Sequence, residues 1–144
     1  MSRPYKYSPN SLRHINGVQP DMRSVCHLAM VIANSRMMNV PDFGISCGHR
    51  TQLTQKDLYA IGRTVDTHLP TVTNCDGVKT KSRHQSGNAV DIYCYVDGKT
   101  NYKMKHLAQV ATCFYEAAMQ LGVTLKWGGQ FENSVDAPHF EIVI

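Results

Sequence analysis

Met22, Val25, Cys26, Ala29, Ile32 and Ala33 recur three and four residues apart behind Pro20-Asp21, the spacing of one buried stripe on a helix with a proline-led start. The pattern predicts a first helix over roughly 21–38, ended near Pro41. "DFGISC" reads as a short strand that delivers the chain to "GHRT". Thr54, with Asp57 three residues on, resembles a capping box opening a short helix through Leu58 and Ile61. The stretch "VDTHLPTVTNCDGVKTKS" has no sustained period and reads as a long surface loop, a feature compact domains usually keep for function. "AVDIYCYVDGKTNY" is a strand with an Asp-Gly turn signal. Leu107, Val110, Ala111, Phe114, Ala118 and Leu121 then form the clearest helical stripe of the chain, stopped by Gly122. "VTLKW" alternates as a strand. "HFEIVI" alternates again, with Phe140, Ile142 and Ile144 on one face and His139, Glu141 and Val143 on the other. The reading is an α+β fold, an antiparallel sheet flanked by helices.

Length and composition narrow this picture. With 144 residues and 42% hydrophobic composition there is material for one ordinary core, and no compositional shift marks a second domain. The expectation is a single domain over 1–144. No apolar run is long enough to cross a bilayer, and "MSRPYKYSPNSL" lacks the apolar segment of an export signal. Five scattered cysteines include no Cys-x-x-Cys pair, which excludes a zinc ribbon and suits reduced thiols. The net charge of +4 is spread out rather than gathered into a stripe, so neither nucleic acid nor membrane is an expected partner.

The candidate chemistry lies in "SRHQSGNAVD". If Val90 and Ile92 face the core, period two puts Asp91 on the opposite face of the same strand, and the same logic sets His139 opposite Phe140 and Ile142. Gly87 permits a turn that brings His84 alongside Asp91. Two imidazoles and one carboxylate suffice for a catalytic zinc that keeps an open position. Asp136, three residues before His139, adds a carboxylate suited to general-base work. For each of these residues a plain role in a turn or on the surface competes with the chemical one.

Ser82-x-His84-x-x-Gly87-x-Ala89-x-Asp91 resembles the "SxHxxGxAxD" signature of the VanY-like D-alanyl-D-alanine carboxypeptidase and endolysin family of zinc peptidases, and "DAPHFE" resembles its second motif. "SLRHINGVQPDM", "GHRT" followed by Gln55, "LYAIGRT", "VTNCDG" and "KWGGQF" are similar to the phage L-alanyl-D-glutamate endopeptidase branch, so the resemblance covers almost the whole chain. It implies one zinc per chain on His84, Asp91 and His139, with Asp136 as the general base and Arg50 as the group that stabilises the oxyanion. Ser82 and Gln55 are implied to bind substrate or to hold a ligand in place. Glu141 shares the face of His139, but its spacing does not match the base.

The implied function is hydrolysis of the L-alanyl-D-glutamate bond of peptidoglycan stem peptides by a monomeric phage endolysin. Such an enzyme waits in the host cytoplasm until a holin lesion admits it to the periplasmic wall. D-alanyl-D-alanine carboxypeptidase action on the same fold is the alternative. A non-haem iron oxygenase, which also uses two histidines and a carboxylate, pairs them as His-x-Asp on a jelly roll, unlike the spacing and helices here. A module with a purely structural zinc has no need of a base at Asp136.

Overall fold

A computed structural model of the chain describes residues 4–36, 39–133 and 135–143. Helices α1 (Pro9–Asn16) and α2 (Pro20–Ser35) lead into strand β1 (Asp42–Cys47) and helix α3 (Gln52–Ala60). After a long loop come a 3₁₀ turn (Arg83–Ser86), the hairpin β2 (Ala89–Val96) and β3 (Lys99–Asn101), and helix α4 (Met104–Leu121). Strand β4 (Leu125–Trp127), a second 3₁₀ turn (Gly128–Gln130) and strand β5 (His139–Ile142) close the chain. The sheet is antiparallel throughout, in the order β1-β2-β5-β4, with β3 on the same edge of β2 as β5 but further along it. The expected α+β architecture is present.

Period-two alternation divides the sheet into two faces. Phe43, Ile45, Val90, Ile92, Phe140 and Ile142 point into one core with the stripes of α2 and α4. Phe114 of α4 stacks on Phe140 with ring centroids 4.4 Å apart and meets Phe43 at 5.8 Å. Burying one such ring contributes about 1.5–3 kcal/mol, so this contact is a main fastening of helix to sheet. Gly122 ends α4 in the left-handed conformation, with φ +70°, as its position past the stripe predicts.

Three details depart from the pattern reading. Helix α1 was not expected; Ser8 caps it by accepting from the Ser11 N–H, and Pro9 occupies its first turn. Thr51, rather than Thr54, caps α3, because its hydroxyl accepts from the Thr54 N–H and so opens the helix a turn earlier. Helix α2 ends at Ser35; the last two positions predicted for it, 37–38, and Ile144 lie outside the described residues. The segment 65–82 forms no helix or strand, as expected of a loop. No helix among the described residues is long and apolar enough to cross a membrane.

Candidate metal centre and catalytic cleft

Strands β2 and β5 pair with Asp91 directly opposite His139, and both side chains rise from the face away from the core. His84 arrives from the 3₁₀ turn, which is closed by a capping box between Ser82 and Gln85. Gly87 follows at φ +75°, a conformation that costs other residues energy, and folds the turn back onto the start of β2. The Ser82 hydroxyl accepts from the His84 N–H at 3.2 Å, so Ser82 acts here on the backbone of the histidine.

The three side chains meet at a single oxygen. Oδ1 of Asp91 lies 3.3 Å from Nε2 of His84 and 3.2 Å from Nδ1 of His139, and the two rings stand edge-to-face with centroids 5.1 Å apart. The outer nitrogen of each ring is already engaged: Nδ1 of His84 lies 2.8 Å from the Gly48 carbonyl oxygen, and Nε2 of His139 lies 2.9 Å from Oε1 of Glu141. A carbonyl and a carboxylate only accept, so each outer nitrogen carries the proton and each inner nitrogen turns toward Asp91. His84 is only 2% exposed, yet its Nε2 has no aligned hydrogen-bond partner. Asp91 also only accepts, so each inner nitrogen shares positive charge with it. Two imidazoles held from behind at their outer N–H groups and facing one carboxylate form the donor arrangement that a divalent cation satisfies. The residues therefore fit the implied metal.

Candidate donor atoms form two overlapping sets, each within 4.8 Å: Cys47, His84 and Asp91, and Asp91, Asp136 and His139. Asp91 is common to both, and the expected triad of His84, Asp91 and His139 spans them. Burial works to lower the pKa of His84, but the Asp91 carboxylate and the contact with Cys47 prevail and hold it at about 9. Burial likewise works to raise Asp91, and His139 and His84 hold it far below the usual carboxylate range. These shifts express how strongly the cluster attracts positive charge.

Asp136 stands at the mouth of the site. Oδ2 lies 4.0 Å from Nδ1 of His139 and the side chain is 56% exposed, so this carboxylate faces both the cluster and the cleft. Partial burial first, and the charge of Asp91 second, push its pKa up. Its backbone is fixed by the second 3₁₀ turn: the Asp136 N–H donates to the Gly128 carbonyl, and a Cβ on Gly128 would overlap the Asp136 carbonyl oxygen. The Trp127 indole N–H donates to the Ala137 carbonyl, while its ring packs in the core against Phe140. Trp127 therefore braces the loop from inside.

Arg50 is held on three sides. Its guanidinium donates to Cys47 Sγ at 3.3 Å, Gln55 Oε1 at 3.2 Å and Asp91 Oδ2 at 3.3 Å, and its backbone N–H donates to the His84 carbonyl. Gln55 is fully buried and donates to Thr73 Oγ1 and the Cys75 carbonyl. It therefore braces Arg50 and the long loop and presents no surface to a bound molecule. A cleft of about 510 Å³ lies over Arg50, Asp91, Asp136 and His139, with the long loop as one wall and Phe131 and Val135 on the other. The pattern reading missed Cys47 and the roles of Gly48 and Glu141. Only Glu141 left a signal, since residues two apart on a strand share a face.

With this geometry in view, the likenesses to known proteins are specific. Residues 3–143 match the family model described as phage L-alanyl-D-glutamate peptidase. The chain belongs to that family. The L-alanyl-D-glutamate peptidase of Escherichia phage T5 is 26% identical over 133 residues, 92% of this chain and 85% of the relative. The crystal structure of the Serratia marcescens L-Ala D-Glu endopeptidase ChiX superposes with a TM-score of 0.72 at 25% identity, covering 96% of this chain and 90% of that one. The vancomycin-resistance D,D-pentapeptidase VanY, solved in complex with Zn(II), shares the fold with a TM-score of 0.55 at 14% identity, over 83% of this chain and 71% of its own. As a member of this peptidase family the chain is a peptidoglycan hydrolase.

Proposed function

We propose that the chain cleaves the L-alanyl-D-glutamate bond of peptidoglycan stem peptides with one zinc ion held by His84, Asp91 and His139. The observation that carries the reading is the meeting of both imidazoles at Asp91 Oδ1 with Asp136 open to the cleft beside them, in a chain matched from 3 to 143 by this family. When bound, zinc supplies a Lewis acid that polarises a carbonyl oxygen and makes water easier to deprotonate. The chain's own groups account for the rest.

Asp136 takes a proton from the attacking water as the new C–O bond forms. It returns that proton to the nitrogen as the C–N bond breaks, so that an amine leaves and a carboxylate remains. A raised pKa suits a group that must both accept and give the proton. Arg50 stabilises the negative charge that develops on the carbonyl oxygen. Its three partners fix the guanidinium beforehand, so little reorganisation accompanies the reaction. Gln55 and the long loop maintain the cleft wall, and Ser82 maintains the turn that carries His84.

The phage lineage of the family supports host lysis as the purpose, with a monomer acting on the wall after a holin lesion admits it. Digestion of purified peptidoglycan followed by mass analysis tests the bond. The reading predicts new N-terminal glutamate on released peptides and alanine left on the muramic acid. Release of free D-alanine without those termini would replace it with carboxypeptidase action.

A further inference from the structure

We propose that Glu141 is the positioning residue for His139, fixing the ring so that Nδ1 is the nitrogen offered to the metal. The inference rests on the metal reading above and adds a residue to it. Glu141 and His139 are two apart on β5 and so share the face that carries the site. The pair is nearly enclosed, with side-chain exposures of 13% and 10%, and the contact between Oε1 and Nε2 is 2.9 Å. Both nitrogens face carboxylates, which only accept: Nε2 faces Glu141, and Nδ1 lies 3.2 Å from Asp91 Oδ1. When Nδ1 gives its lone pair to a metal, the ring keeps its N–H at Nε2, donated to Glu141.

The geometry is specific to this histidine. The Gly48 carbonyl engages Nδ1 of His84, so His84 offers Nε2, and the two histidines enter the site through opposite nitrogens. Glu141 is itself held from the second oxygen. Arg83 Nε lies 3.6 Å from Oε2, reaching over from the 3₁₀ turn, and the register puts the small residue Ala89 opposite Glu141 on β2. Arg83 is half exposed, so it contributes little beyond limiting the carboxylate's rotation. An acceptor behind a ligating imidazole raises its basicity and fixes its tautomer, and removing one typically costs about 10–100-fold in metal affinity.

The test is the zinc dissociation constant of the full chain, measured by competition with a chromogenic chelator. Glu141→Gln should weaken zinc by about 10–100-fold while the metal-free chain keeps its circular dichroism spectrum, and Arg83→Ala should have a much smaller effect. An affinity for zinc in Glu141→Gln within about twofold of the unaltered chain would overturn the proposal. A second measurement needs no variant: ring ¹⁵N spectra of the zinc-loaded unaltered chain should show His139 protonated at Nε2, and protonation at Nδ1 overturns the proposal as well. If the unaltered chain takes up no zinc, or His84→Ala binds it equally well, the metal reading and this inference fall together. If both of those controls behave as expected, failure of Glu141→Gln removes the inference alone.

Discussion

Nδ1 of His84 lies 2.8 Å from the carbonyl oxygen of Gly48, and two residues later the Arg50 N–H donates back to the His84 carbonyl at 3.0 Å. The segment that leaves β1 thus fixes one candidate metal ligand and the candidate oxyanion group together. The β1 exit supplies a backbone group to each bond: a carbonyl holds the His84 ring nitrogen, and an N–H holds the His84 backbone.

The metal assignment predicts that His84→Ala, Asp91→Ala and His139→Ala each lose zinc, measured as metal per chain after gel filtration. Asp91→Ala should be the most damaging, because Oδ1 faces both imidazoles and Oδ2 faces Arg50. Retention of one zinc in all three variants would place the metal elsewhere.

Asp136→Ala should keep both zinc and fold while turnover drops by about 10²–10⁴, the usual contribution of positioned proton transfer. The half-exposed carboxylate lies within ligand distance of Asp91 and His139, so metal content must be measured alongside rate. Loss of zinc with activity would make Asp136 a ligand, and unchanged turnover would make it a turn residue.

Gly128→Ala tests how the base is placed. The added methyl would collide with the Asp136 carbonyl and press on His139 Cβ, so the loop has to move. A displacement of about 1 Å can cost on the order of 10² in rate. Turnover at the level of the unaltered chain would show that the position of Asp136 is not critical.

Much of this site was legible because strands alternate. Once Val90 and Phe140 were assigned to the core, Asp91 and His139 had to share the other face, and Gly87 marked the turn that carries His84. Helix α1 was hidden for a physical reason. It buries a serine and one isoleucine, Ser11 and Ile15, so no apolar stripe announces it, and its docking relies on the Ser11 hydroxyl accepting from the Ile45 N–H. Gln55 is a different case. The sequence allows a substrate contact or a bracing role, and only its complete burial shows that its amide is used up on Arg50 and the long loop. Cys47 comes beside His84 and Arg50 through a register shift in β1 between Ile45 and Cys47, an irregularity that periodicity does not reveal.

Arg50→Lys should retain zinc and lose about 10²–10³ in rate. A lysine ammonium lacks the planar fork that reaches Cys47, Gln55 and Asp91 at once, so positive charge alone should not restore the geometry. Full activity in this variant would reduce Arg50 to a nonspecific charge.

The most direct measurement is a zinc titration of the chelator-treated chain on purified peptidoglycan, with bound metal and new N-terminal glutamate followed in the same samples. The account predicts no cleavage without metal, a linear rise in glutamate ends up to one zinc per chain, and a plateau beyond it. Full cleavage by the metal-free chain would contradict the account, as would cleavage at one zinc per chain that yields D-alanine in place of glutamate ends.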